Sequence, residues 1–115
     1  MDVTTDTFER DVIERSRELP VVVDFWAAWC GPCRMLGPAI ESEIAKREGA
    51  IELAKVDVDA EQTIAAEYGI QSIPTVAVFR DGKPVTGFVG AYPAEKISRF
   101  LDDVVAEHSN AAETK

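Results

Sequence analysis

The sequence is poor in cysteine and histidine, and it contains no long apolar run. Among its 115 residues are 2 cysteines and 1 histidine. A structural zinc site needs four ligands, and His108 lies far along the chain from Cys30 and Cys33, so we expect no metal site. No segment approaches the ~20 apolar residues that a membrane-spanning helix needs. We therefore expect no membrane association.

The amino-terminal segment also lacks the features of a secretory signal. It begins Met-Asp-Val-Thr-Thr-Asp-Thr-Phe-Glu-Arg, without a basic start or an apolar stretch. We therefore expect a cytoplasmic protein. Structural disulfides are rare in that compartment, so a close pair of cysteines there is more often catalytic or metal-bound.

Positive charge is scarce relative to negative charge. Twelve Lys and Arg residues stand against 21 Asp and Glu residues, which gives a formal net charge of -9. This charge opposes binding to a phosphate backbone, so we expect no nucleic-acid partner. A composition that is 46% hydrophobic and 29% charged is typical of a globular domain. We expect one domain over residues 1–106 and a flexible polar tail over residues 107–115, where the apolar pattern is lost.

The spacing of apolar residues predicts alternating helices and strands, and hence an α/β fold. Near-continuous apolar strands are typical of sheets that helices cover on both faces. Met35, Leu36, Ile40 and Ile44 trace the core-facing side of the second predicted helix. The Asp81-Gly82 step predicts a tight hairpin turn. The predicted order is helix 7–20, strand 21–28, a helix after Cys33, strand 51–58, a helix around 64–68, strands 75–79 and 84–89, and a helix from Pro93.

Cys30 and Cys33 lie between the first strand and the second helix, in the motif Trp29-Cys30-Gly31-Pro32-Cys33. Cys30 is expected at the helix start, where unpaired amide groups and the helix dipole favour a thiolate. The thiolate is the attacking species in disulfide exchange. The spacing also lets Cys33, one helical turn later, close an intramolecular disulfide. The alternatives are a buried, inert pair of small apolar residues or a pair of metal ligands.

Three further residues stand out against their surroundings. Asp24 lies inside an apolar strand, where burial would remove its hydration and raise its pKa, unless it faces an edge or caps a turn. Lys55 alone is typical of an ordinary exposed strand lysine. Pro74 stands at the entrance of a strand, where sequence alone favours a trans peptide bond.

The chain resembles the thioredoxin family from about Val3 to Val105. A Cys-X-X-Cys pair near a β-α-β pattern is a known signature of that family. The resemblance implies the thioredoxin fold, with a central mixed sheet flanked by helices on both faces, in a monomer without a cofactor. It also implies a general protein disulfide reductase and electron carrier that uses dithiol/disulfide exchange at Cys30 and Cys33. The matching segments are Val-Asp-Phe-Trp-Ala-Ala-Trp-Cys-Gly-Pro-Cys at 23–33, Pro38, Lys55-Val56-Asp57, Ser72-Ile73-Pro74-Thr75, Asp81-Gly82 and Gly90.

The same resemblance implies a role for each residue at the site. Cys30 would be the nucleophile and Cys33 the resolving cysteine. Asp24 would lie beneath the disulfide near Lys55, which tunes it, and would transfer a proton to or from Cys33 through water. Pro74 would be cis and pack beside the disulfide, which leaves the backbone of Ile73 free to pair with an extended substrate segment.

The resemblance further implies a flat, mostly apolar docking surface around Cys30. For Val58 and Ala91, plain packing or turn geometry is an equally good interpretation. The electron donor would be a thioredoxin reductase, which draws on NADPH through FAD, and the substrates would be diverse disulfide-containing proteins. An oxidising or isomerising enzyme, or a binding module with an unused cysteine pair, remains the alternative. The residues of this docking surface are Trp29, Gly31, Pro32, Val58, Ile73, Gly90 and Ala91.

Overall fold

A four-stranded sheet with the strand order β2-β1-β3-β4 organises the computed structural model, which describes residues 1–113. Strands β1 and β2 are parallel, whereas β1 with β3 and β3 with β4 are antiparallel. The predicted order of elements is confirmed after the first helix. The elements are β1 Val21–Trp26, α1 Gly31–Ala45, β2 Glu52–Asp57, α2 Gln62–Glu67, β3 Thr75–Arg80, β4 Lys83–Val89 and α3 Ala94–Glu113.

Helices cover both faces of this sheet. Alternate residues of β1 point to opposite sides, so the strand contributes apolar residues to a separate core on each face. Val22 lies on one face, in a core that also contains Ile40 of α1 and Leu101 of α3. Val23 and Phe25 lie on the other face, in a core that includes residues of the amino-terminal segment and of α2. The expectation of a mixed sheet flanked by helices on both faces is confirmed.

The amino-terminal helix differs from the prediction in its form. Residues Glu9–Glu14 form a π-helix, and Arg15–Arg17 continue it as a single 3₁₀ turn. Ser16 explains the tight end, because its hydroxyl donates to the Ile13 carbonyl at 2.7 Å. The same hydroxyl oxygen accepts the Gly82 amide at 2.9 Å. The segment therefore ends where it ties the β3–β4 turn to the domain.

The β3–β4 hairpin turns at Asp81 and Gly82, as predicted. Their φ angles are 52° and 85°, in the left-handed region that an Asp-Gly step tolerates.

At the opposite edge of the sheet, residues 1–3 run beside β2. The Val3 amide donates to the Lys55 carbonyl at 2.9 Å, and the Lys55 amide donates to the Met1 carbonyl at 2.8 Å. The sequence did not predict this extra pairing.

Met35 was placed with the core-facing residues of α1, and that prediction is wrong. Its side chain is 74% exposed, whereas Leu36 and Ile40 are buried. Leu36, Ile40 and Ile44 already form a stripe at intervals of four residues, and Met35 lies about 100° from it. Met35 thus adds an apolar side chain to the surface close to the cysteines.

The last helix is longer than predicted. It runs to Glu113, whereas the loss of the apolar pattern predicted a polar tail from residue 107. Adding a residue to an existing helix requires no new nucleus, and Ala and Glu are good helix formers, so the helix continues past Val104 and Val105, which pack against the core. Residues 114 and 115 of the predicted tail lie outside the described residues. The division between domain and tail at residue 106 stays a prediction.

Candidate active site

Cys30 is the residue that caps the amino terminus of α1. Its backbone is extended, with φ -87° and ψ 110°, and its sulfur accepts the Cys33 amide at 3.2 Å. Pro32 follows within the first turn, where its missing amide removes no helix hydrogen bond. Cys30 and Cys33 form a disulfide, with Cα atoms 5.3 Å apart. The local sequence therefore places one sulfur at the positive end of a helix and the second within its reach.

Both cysteines are buried in the disulfide form. Cys30 is 4% exposed and Cys33 is 5% exposed. They form a small cluster with Ala27, against which Trp26, Val58 and Ile73 pack. Neither sulfur is therefore freely accessible to solvent while the disulfide is closed.

The backbone around Pro74 borders the disulfide. The Ile73–Pro74 peptide bond is cis, and Pro74 is buried. The carbonyl oxygen of Ile73 lies 3.8 Å from the Cys30 sulfur. The amide of Gly90 donates to the Pro74 carbonyl at 2.9 Å. Two segments of the expected docking surface are thereby joined beside Cys30.

The other residues of that surface differ in exposure. Trp29 is 69% exposed, and Gly31, Pro32 and Ala91 are also exposed. Val58, Ile73 and Gly90 are half-buried. The Trp29 indole donates to Asp59 at 2.8 Å, a contact that sequence reasoning missed because no spacing pattern links a loop aspartate to this tryptophan.

Asp24 is a buried carboxylate in the central strand. It is 1% exposed, and its Oδ1 has no hydrogen-bond partner within residues 1–113. Burial raises the pKa of Asp24 to about 6, the nearby positive charge of Lys55 opposes this rise, and the negative charge of Glu41 adds to it. A carboxyl group with such a pKa can take up or release a proton near neutral pH.

Lys55 is the register partner of Asp24 on the adjacent parallel strand. Its ammonium group, however, makes its ion pair with Glu41 of α1, at 3.2 Å from Nζ to Oε1. The same nitrogen lies 5.2 Å from the centre of the Trp26 ring. Sequence reasoning missed Glu41, because a glutamate on a helix is usually a solvated charge.

Among the side chains that the structure describes, those of residues 1–109, no group of three or more His, Cys, Asp or Glu is arranged to hold a metal ion. Over residues 1–113, no helix is both long and apolar enough to span a membrane. The chemistry that the arrangement does offer is reversible formation of the Cys30–Cys33 disulfide, with a titratable carboxyl group buried in the adjoining strand.

Comparison with known proteins agrees with this chemistry. The family model described as Thioredoxin matches residues 1–103. A thioredoxin of Streptomyces clavuligerus is 47% identical over 98 residues, which cover 85% of this chain and 89% of that protein. A thioredoxin of Porphyra purpurea is 42% identical over 104 residues, which cover 90% of this chain and 95% of that protein. The chain therefore belongs to the thioredoxin family of protein disulfide oxidoreductases, and Cys30 and Cys33 are its redox-active pair.

Proposed function

We propose that Cys30 is the attacking sulfur and Cys33 the resolving sulfur in the reduction of protein disulfides. The Cys30 thiolate attacks a partner disulfide, which breaks the partner's S–S bond, forms a mixed disulfide and releases one partner thiolate. The Cys33 thiolate then attacks the Cys30 sulfur. The Cys30–Cys33 disulfide forms, the second partner thiolate leaves, and two electrons have passed to the partner.

The position of Cys30 at the start of α1 is the observation that carries this proposal. Its sulfur already accepts the Cys33 amide at 3.2 Å, and a thiolate accepts such a bond more strongly than a thiol does. The helix dipole stabilises the same negative charge. Cys33 lies in the first turn of the helix, so it can attack the mixed disulfide from within the protein.

Asp24 accepts the proton that Cys33 must lose before it attacks, and Lys55 tunes the carboxylate. Support comes from the burial of Asp24, the unpaired Oδ1 and the pKa of about 6, because a general base works best when its pKa is close to the working pH. The proton passes through water between the two groups.

Substrates bind as extended segments across the docking surface defined above. The exposed ring of Trp29 and the half-buried side chains of Val58 and Ile73 offer apolar contact. The backbone of Ile73, next to the cis bond to Pro74, offers groups that any peptide can pair with, which suits a reductase acting on many proteins.

Electrons reach the chain from a thioredoxin reductase, which draws them from NADPH through FAD. Proteins of this family normally work with such a reductase. The chain itself works as a monomer without a cofactor. It acts in the cytoplasm, where the cysteines of partner proteins are kept as thiols. Residues 1–106 carry the activity.

Two cysteine variants test the assignment of the sulfurs. Each variant is first reduced and freed of the reductant, then mixed with a disulfide-linked test peptide; a dithiol donor is added only in a separate assay of turnover. Cys33→Ser is expected to accumulate a stable mixed disulfide at Cys30, visible by mass spectrometry. Cys30→Ser is the matched control and is expected to form no adduct. An adduct on Cys33 in that control would reverse the two roles. Unchanged turnover in either variant would overturn the proposal.

A further inference from the structure

Lys55 interacts with two carboxylates but contacts only one of them. Its ammonium group forms an ion pair with Glu41 at 3.2 Å. Within the described residues, no hydrogen bond or ion pair joins Lys55 to Asp24, although the two are register partners on β1 and β2. The ammonium group is therefore paired with α1 and not with the buried carboxylate.

The three charges follow a gradient from the surface to the core. The Glu41 side chain is 50% exposed, the Lys55 side chain is 22% exposed, and Asp24 is 1% exposed. The ring of Trp26, 5.2 Å from the ammonium nitrogen, offers a second, cation–π contact. Lys55 is thus held at an intermediate depth by one helix residue and one strand residue.

The charges that act on Asp24 come from two elements. Lys55 of β2 lowers its pKa, and Glu41 of α1 raises it. The partner of Asp24 on β3 is the uncharged Val76. The cysteines at the start of α1 carry no charge while they share the disulfide, and α3 adds apolar residues to this face of the core. Glu41 is therefore the group that offsets the effect of Lys55.

We propose that Glu41 is a positioning residue, which holds Lys55 off Asp24 and so keeps Asp24 basic enough to accept the proton of Cys33. This inference rests on the proposed role of Asp24. A direct ion pair between Lys55 and Asp24 would stabilise the ionised carboxylate and make it a weaker base. With Glu41 in place, Asp24 has a cation nearby without being neutralised by it.

The titration of Asp24 tests this inference without any measurement of activity. In oxidised, full-length Glu41→Gln, the carboxyl signal of Asp24, followed by NMR against pH, is expected to titrate at lower pH than in the wild type. The control is Glu18→Gln, which removes the same charge from another exposed ion pair, that with Arg15. If the titration midpoint of Asp24 in Glu41→Gln is equal to or higher than that in Glu18→Gln, the inference is overturned.

A double-mutant cycle tests whether Glu41 acts through Lys55. In a Lys55→Met background, Glu41→Gln is expected to lower the midpoint of Asp24 by clearly less than it does in the wild-type background, because only the direct repulsion between the two carboxylates is lost and no ammonium group remains to be positioned. A full-sized fall in that background would show that Glu41 acts on Asp24 directly, and it would overturn the positioning role. Urea unfolding of each variant confirms that the chain is folded.

The kinetics separate a failure of this inference from a failure of the proposed function. Reduced protein is mixed with one equivalent of an aromatic disulfide, so that the first thiolate release reports attack and the second reports resolution. Glu41→Gln is expected to slow the second release by about two- to fivefold at pH 7, as for other partly exposed ion pairs. If Asp24→Asn resolves at the wild-type rate, the role of Asp24 fails. If Asp24→Asn is slow and Glu41→Gln changes neither rate nor midpoint, only the positioning role fails.

Discussion

Asp24 and Glu43 both carry buried carboxylates, yet their pKa values move in opposite directions. Asp24 lies in β1, and burial raises its pKa to about 6. Glu43 lies within α1 and is 6% exposed. Hydrogen bonding from Lys46, followed by that from Arg47, lowers the pKa of Glu43 below its ordinary value, although burial opposes the change.

The difference lies in the partners of each group. Glu43 receives Lys46 at 2.9 Å and Arg47 at 3.3 Å, and Arg47 continues to Asp102 of α3 at 2.8 Å. Asp24 has an oxygen without a partner. A buried carboxylate with its partners in place joins two helices, whereas one without them retains a proton that it can give up near neutral pH. Burial alone therefore does not identify a functional carboxylate.

Replacing each carboxylate by its amide gives the largest expected contrast. Asp24→Asn should slow the second thiolate release of the single-turnover assay by about ten- to a hundredfold at pH 7, since general-base catalysis is typically worth about that much or more. The first release should stay at the wild-type rate. Glu43→Gln should leave both releases within about twofold of the wild type. Equal slowing in the two variants would remove the functional distinction between them.

The pH dependence of stability should also separate Asp24 from Glu43. Since folding raises the pKa of Asp24 from its ordinary value of 3.8 to about 6, its stabilising contribution is present below pH 4 and is lost as the pH rises through 6. The free energy of unfolding of wild type relative to Asp24→Ala should therefore fall by about 2–3 kcal/mol between pH 4 and pH 8.

Urea unfolding of the oxidised proteins at the two pH values measures this change, and the same titration of Glu43→Gln is the control. The folded pKa of Glu43 is lowered, so its contribution is present above the unfolded pKa and is lost as the pH falls through the folded value. The two variants should thus diverge from the wild type in opposite directions with pH. If the two stability differences changed with pH in the same direction, the raised pKa of Asp24 would be contradicted.

Arg47→Ala should lower stability by less than the pH-dependent change expected for Asp24, and it should leave both thiolate releases at the wild-type rate. Its guanidinium donates to Ser98 and Asp102 as well as to Glu43, so the variant leaves a buried carboxylate with Lys46 alone. We expect a loss of about 2 kcal/mol in the free energy of unfolding at pH 7. If urea unfolding gives the same free energy of unfolding as for the wild type, the contacts of Arg47 with Glu43 and with α3 do not stabilise the protein.

The position of the redox pair could be predicted from sequence because it depends on local order. A buried apolar strand followed by a helix places Cys30 at the helix start, whatever the rest of the chain does. Asp24 was visible for the same reason, as a charge inside an apolar strand. In contrast, the cis bond before Pro74 was expected only from the family resemblance, since most such bonds are trans.

Contacts between distant segments could not be predicted in the same way. Glu41 and Asp59 look like ordinary surface acids until the fold places them beside Lys55 and Trp29. Met35 was assigned to the core because an apolar residue next to a buried stripe fits the pattern within about one helical position. Nothing in the spacing of residues 1–3 indicated that they would pair with β2.

That amino-terminal pairing has a practical consequence for anyone preparing the protein. The ammonium group of Met1 donates to the Leu53 carbonyl at 3.3 Å, and the Met1 carbonyl holds the amide of Lys55. An affinity tag fused ahead of Met1 would replace that ammonium group by a peptide bond and add chain beside Lys55, the register partner of Asp24. Rates and titrations are best compared on protein whose purification handle is attached at the carboxyl end.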